Sequence, residues 1–295
     1  MRNWREMSLT KLLIEEKDKR KFREFFPKPE FKKKEINREI LAPPIADNKP
    51  LVGTAFDYLL HFLIKSSYKH TISNKWVSEK SLQLLNRLIK REKDKQKIRK
   101  LKKHCTQVES IILNAKKTHS EFLLNGKTID SLLETTLLLA QVDNIYRVYE
   151  KERRISINVG NINKNDIKDL ERLFSILKLD DFQLNNVCFL NPYFGKATSI
   201  VADADLIIGD TIIDIKTIKN LEMRRDTFNQ LIGYYILSRI AGINGIKNKI
   251  EIRKIGVYFS RYAYLHIYNI EDIISETKFL EFIKWFKKLI HQNKK

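Results

Sequence analysis

The stretch Ser199-Ile-Val-Ala-Asp-Ala-Asp-Leu-Ile-Ile-Gly-Asp-Thr-Ile-Ile-Asp-Ile-Lys216 holds two nearly unbroken apolar runs joined by Gly209-Asp210. β-Branched runs on either side of a Gly-Asp dipeptide predict a hairpin, and their continuity predicts strands covered on both faces. Three ionisable residues, Asp205, Asp214 and Lys216, interrupt this apolarity. Side chains two apart on a strand share a face, so Asp214 and Lys216 project together while Ile215 points the other way. A turn at 209–210 sets position 205 opposite 214 or its neighbour. Two carboxylates at cross-strand distance repel unless a cation lies between them. An oxygen-only pair suits Mg²⁺ or Mn²⁺ better than Zn²⁺. Lys216 is then placed to orient a metal-bound water for attack on a phosphodiester. Asp203 lies on the same strand face and is the alternative ligand, with spacing favouring Asp205.

Working outward, Asn186-Val-Cys-Phe-Leu190 is a short strand closed by Asn191-Pro192, and residues 224–241 form a helix with Phe228, Leu231, Ile232, Tyr235 and Ile236 on its apolar side. Strands at 254–260 and 263–268 and a helix at 270–289 complete the half. Strand, hairpin, helix, strand, strand and helix predict an α/β (α+β) fold with a mixed sheet. Upstream, apolar spacings of three and four predict helices at 53–64, 79–118, 129–150 and 165–178. Residues 1–50, basic and punctuated by five prolines, read as a short helix and an extended arm outside the core. The core is expected over 51–295, with a helical insertion at about 79–160.

The chain has 295 residues and a formal net charge of +20, at 43% hydrophobic and 31% charged. That apolar content excludes a disordered polyelectrolyte, and two cysteines exclude both a disulfide framework and a four-thiolate metal or iron–sulfur site. No apolar run approaches a membrane span and the charged N-terminus is unlike a signal peptide, so a cytoplasmic location is expected. Residues 51–120 carry sixteen Lys+Arg against five Asp+Glu, densest in 87–103. Such a surface attracts polyanions, nucleic acid being the commonest, although it equally suits a solvated helix face.

Asp205, followed nine residues later by Asp214-Ile-Lys216-Thr217 and then by Gln230 and Tyr234 four apart on the next helix, resembles the PD-(D/E)XK nuclease superfamily, in particular its RecB-like branch. The resemblance covers about 53–64 and 190–268. It implies a restriction-endonuclease-like core and a Mg²⁺- or Mn²⁺-dependent nuclease acting on DNA. Asp205, Asp214 and the Ile215 carbonyl are implied to hold the metal, Lys216 to position the water, and Gln230 and Tyr234 to contact the substrate. Asp57, in Gly53-Thr-Ala-Phe-Asp57, stands where the branch has a histidine ligand; Ala204 replaces the proline of the superfamily's name. Arg224 and Arg225 at the start of the helix are read as phosphate contacts. The competing expectations are a non-catalytic nucleic-acid-binding module on the same fold and an RNA-processing nuclease.

Three features read as decoys. Asp166-Ile-Lys168 repeats the Asp-x-Lys tripeptide, but Asn165 or Asp166 fits a helix cap or first turn there. Gly126-Lys127-Thr128 lacks the upstream glycine of a phosphate-binding loop. Tyr258, Tyr262, Tyr264 and Tyr268 suit either base stacking or sheet packing, the latter being commoner.

Overall fold

A computed structural model describes residues 7–68, 70–125, 129–184, 187–195, 198–244, 246 and 250–292. Gly126-Lys127-Thr128 lies outside them. In chain order the elements are β1 (Met7–Ser8), α1 (Leu9–Leu12), α2 (Glu16–Phe25), α3 (Lys33–Ile36), α4 (Lys49–Ser67), β2 (Thr71–Ser73), α5 (Val77–Arg91), α6 (Lys95–Asn125), α7 (Ile129–Glu152) and α8 (Lys164–Ile176). There follow β3 (Cys188–Leu190), β4 (Tyr193–Phe194), β5 (Ile200–Asp203), β6 (Leu206–Ile208), β7 (Thr211–Lys216), α9 (Arg225–Ala241), β8 (Lys254–Phe259), β9 (Tyr264–Asn269), α10 (Ile270–Ile273) and α11 (Glu276–Gln292). The fold is mixed α+β. It divides into two compact units, one of Met1–Glu39, Ile72–Asn74 and Asp180–Lys295, the other of Ile40–Thr71 and Lys75–Leu179. Among the described residues no helix is long and apolar enough to cross a membrane.

In the α/β unit a six-stranded sheet runs in the order β2-β3-β6-β7-β8-β9, and a three-stranded sheet in the order β1-β5-β4. The expected hairpin is present: Ile208 pairs with Thr211, Ile207 with Ile212 and Leu206 with Ile213. The chain then crosses through α9 to β8, which lies parallel to β7, while β9 returns antiparallel. Strand β7 is central and buried along its length up to Lys216, which is why its sequence shows no polar alternation. Cross-strand pairing puts Asp214, Val257 and His266 in one row and Lys216, Phe259 and Tyr264 in the next, all on one face. Helix α9 covers this face, with Phe228 edge-on to Tyr268 at 6.2 Å.

The tyrosines of the last strands are sheet packing. Tyr264 stacks on Phe259, and Tyr258 points to the opposite face, where its ring lies 4.7 Å from Phe182.

Two expectations are corrected in this unit. Residues 199–208 are not one strand. Strands β3 and β4 pair with β6 and β5 in a single continuous antiparallel register, from Cys188↔Ile208 to Phe194↔Ala202, but the ladder bends at Asn191-Pro192 opposite Ala204-Asp205. Asn191 takes a left-handed φ of 50° there, and Pro192 has no N–H to donate. Nor is the N-terminal segment an arm outside the core. Phe22 of α2 and Phe26, which ends that helix, are fully buried against Phe282 of α11, at ring distances of 5.1 and 4.7 Å.

The helical unit is wider than the expected insertion, since it also takes in α4. Its core forms where α4, α5 and α6 pack on α7 and α8 packs on α4, burying Phe56, Leu59, Leu85, Val108, Leu133 and Leu137. The single helix expected over 79–118 is two. Asp94 Oδ1 accepts the Gln96 and Lys97 N–H groups at 2.7 and 3.1 Å and so starts a new helix, while Glu92 Oε1 accepts the N–H groups of Lys93 and Asp94. Both acids were visible inside the basic run and are its punctuation. Asn163 caps α8, which places Asp166 in its first turn and gives the second Asp-x-Lys tripeptide a helical, structural setting.

A buried polar contact crosses this unit: Tyr58 Oη donates to Asp143 Oδ1 at 2.6 Å, and Arg147 lies 3.5 Å from Oδ2. Burial pushes the Asp143 carboxyl up to about 6, with Arg147 pulling the other way. A folded-state value above the unfolded one means that the folded chain binds the proton more tightly. The stabilisation is fully present below about pH 4 and is lost as pH rises through about 6, a span of about 3 kcal/mol. Asp143→Asn keeps an acceptor for Tyr58 without the charge. Thermal unfolding followed from pH 4 to 7 should therefore show wild type losing stability relative to Asp143→Asn, and parallel curves would refute this account.

Candidate functional site

The bend at Ala204-Asp205 makes a fork in the α/β unit. Up to Leu206, β6 pairs with β7; beyond it the chain turns away, and β5 pairs with β1 instead. Strand β7 therefore continues past its backbone partner, leaving the Ile215 N–H without a carbonyl from that side. The Asp205 side chain fills the gap, its Oδ2 accepting the Ile215 N–H at 2.7 Å. Asp205 thus sits at the corner, half-buried, and not inside a strand as expected.

Asp214, one residue earlier on β7, is 1% exposed. Its Oδ2 lies 2.6 Å from Lys216 Nζ, an ion pair. Burial pushes the Asp214 carboxyl up to about 6; Lys216 opposes the rise and the Asp205 charge adds to it. Asp214 and Lys216 are thus paired on one strand face, as strand parity implies, and Asp205 lies near enough for its charge to act on Asp214. Asp203, at the end of β5, is exposed and pairs with Tyr193 in the smaller sheet.

Helix α9 closes the fork. Gly233 gives it close approach to α1, because a Cβ there would lie 2.5 Å from a Leu9 methyl carbon. One residue on, Tyr234 is buried, with its ring stacked on Phe194 of β4. Its hydroxyl accepts a short hydrogen bond from Gln230 Nε2, one turn earlier. Burial holds the Tyr234 phenol well above its usual range, and the charges of Asp214, Asp205 and Asp203 push it further. Tyr234 therefore faces the acidic centre, as a wall of the fork more than as an exposed contact. Phe194 is a part of this wall that the sequence reading missed; its only signal was its place just after Asn191-Pro192. The end of β7 is pinned by Ser260, whose Oγ donates to Thr217 Oγ1 at 2.8 Å.

The arginines at the start of α9 differ. Arg224 is exposed, 3.5 Å from Asp226. Arg225 is not available as a phosphate contact: its Nη2 donates to the carbonyls of Phe22 and Phe26 at 2.8 Å each, capping the C-terminal end of α2. Asp57 lies on α4 in the helical unit, half-buried, and enters the site reading through the resemblance alone. Among the described residues no three His, Cys, Asp or Glu side chains converge as a metal-binding group. Comparison of the chain with protein-family models, curated proteins and solved structures finds no match in any of the three.

Proposed function

We propose that this protein is a metal-dependent nuclease that hydrolyses DNA phosphodiester bonds at the fork of Asp205, Asp214 and Lys216. The observation that carries the reading is the convergence of two carboxylates and a lysine, one carboxylate fully buried, on strands that are otherwise apolar. A structural salt bridge accounts for Lys216 and Asp214, and the Ile215 N–H gives Asp205 a partner; a neutral acceptor would serve that N–H as well, and neither contact calls for a second negative charge beside a buried carboxylate. The donor set fits a hard cation. Asp205, Asp214 and the Ile215 carbonyl offer oxygens only, and Mg²⁺ keeps several waters around one or two carboxylates, so a third acidic side chain is not required. Bound there, Mg²⁺ or Mn²⁺ would supply Lewis acidity and a more acidic water.

Lys216, one-quarter exposed, reaches both solvent and Asp214, a position from which it can hold the attacking water and exchange its proton. Tyr234 and Phe194 exclude bulk water from the inner side of the fork. The net charge of +20 suits a polyanionic substrate.

The test is incubation of the purified protein with single-stranded DNA, duplex DNA and RNA in Mg²⁺, Mn²⁺ or EDTA. Cleavage of DNA with either metal and none in EDTA is expected. Salt-sensitive binding without cleavage would replace the reading with a non-catalytic nucleic-acid-binding module, and cleavage of RNA alone would replace the substrate.

A further inference from the structure

The helical unit carries a second cluster that the fork does not use. A cavity of about 180 Å³ opens between the last turns of α5 and of α7, lined by Leu84, Arg87, Leu88, Arg91, Tyr149, Glu150 and Arg153. Arg87 and Arg91 are four apart and so share one face of α5. Arg153 comes from a site more than sixty residues away in sequence, just past α7, where the chain takes a left-handed φ of 55°. Three arginines and one glutamate therefore line one groove. Among the described residues Glu150 pairs with Arg153 alone, at 3.3 Å, and Arg87 and Arg91 have no acidic partner.

The Arg153 guanidinium also lies over the Tyr149 ring at 5.5 Å, which holds it in the groove. The three arginines are exposed around the groove, so they present a local concentration of positive charge to solvent that a polyanion would neutralise. The floor is apolar, from Leu84 and Leu88, and one wall is aromatic. A bare inorganic anion gains nothing from those surfaces, whereas a phosphate attached to a sugar and base does.

We infer that this groove is a phosphate-binding subsite for a nucleic-acid backbone, with Arg87, Arg91 and Arg153 on the phosphate and Tyr149 and the leucine floor against the adjoining sugar or base. It rests on the nucleic-acid reading proposed above for the identity of the polymer and not for its hydrolysis. It also gives Arg87 and Arg91 a setting within the basic run 87–103 that depends on a residue of another helix.

The test is binding of a labelled 20-mer, single-stranded and duplex, in EDTA, at salt concentrations between 50 and 200 mM. For Arg87→Ala/Arg91→Ala the slope of log affinity against log salt should fall by about 1 to 2 relative to wild type, and for Arg153→Ala by about 1. A double variant of equal charge elsewhere in the same unit, Lys168→Ala/Lys178→Ala, should leave the slope unchanged. Tyr149→Leu should weaken binding about fivefold or more at an unchanged slope. Arg87→Lys/Arg91→Lys, which keeps charge and fold, should retain the slope and lose affinity, since lysine lacks the bidentate fork. An unchanged slope in the alanine double variant, an equal fall in the lysine control, or full affinity in the arginine-to-lysine variant would each overturn the subsite. Because no divalent ion is present, none of these outcomes depends on whether the fork cleaves.

Discussion

Asp214→Asn is expected to lower metal-dependent DNA cleavage by about a thousandfold or more while leaving the protein at least as stable as wild type. The loss follows from the proposed role, in which removing one of two charged ligands forfeits several kcal/mol of transition-state stabilisation, each ~1.4 kcal/mol being tenfold in rate. The stability half of the expectation follows from the fold. Asp214 is 1% exposed, and burial with the nearby Asp205 charge disfavours its ionised form. Asparagine has nearly the same shape and no charge to desolvate, and Lys216, one-quarter exposed, can turn to water when its partner is neutralised. A buried carboxylate whose charge costs stability is the pattern expected of a functional site. Lys216→Ala should lose cleavage too, by about a hundredfold to ten-thousandfold, while salt-dependent DNA binding in EDTA persists. Undiminished cleavage in either variant, measured beside its thermal unfolding midpoint, would sink the assignment. A drop in activity matched by a drop in stability would point to a structural ion pair.

Phe282→Ala should destabilise the α/β unit by about 3–5 kcal/mol, the cost of emptying a fully packed aromatic position. The ring is fully buried and lies within 4.7 to 5.8 Å of Phe22, Phe25, Phe26, Trp285 and Phe286, so no small shift of a single neighbour refills its space. The effect should concentrate on α2, whose buried face is built on this ring and whose last carbonyls are capped by Arg225. Arg225 begins α9, the helix that carries Gln230 and Tyr234 to the fork. Loosening α2 should therefore reduce cleavage as well as stability. Hydrogen exchange is the appropriate measurement, since a two-unit chain need not unfold in one step. Amides of Phe22 through Phe26 should lose protection in Phe282→Ala, and unchanged protection there would show that the N-terminal segment is not held by this cluster.

Much of the site is legible from local chemistry. Strand parity alone puts Asp214 and Lys216 on one face, and the Gly209-Asp210 turn alone sets the register that brings Asp205 to them. The helix over 224–241 is marked by its apolar spacing and matches α9 within a residue. The misreadings have a shared cause. The apolar run 199–208 looks like one strand because both halves pair in one register with β3 and β4; its division depends on which strand lies on the other side, β7 or β1. Arg225 looks like a phosphate contact because charge at a helix start is attractive to anions, yet carbonyls some two hundred residues away claim it. The prolines of the first fifty residues suggest an arm, yet Phe22 and Phe26 find Phe282 more than 250 positions later.

The hairpin, the shared face of Asp214 and Lys216, the α+β class and the excess of positive charge can all be read along the chain, because each depends on periodicity, turn chemistry or counting over a few neighbouring residues. The fork itself, the Asp205 carboxylate on the Ile215 N–H, the capping role of Arg225 and the arginine groove that Arg153 completes emerge from packing. Each of these depends on which distant group satisfies a donor, a charge or an apolar face. That choice is made by competition among non-local partners as the chain closes on itself, and no window of sequence contains it.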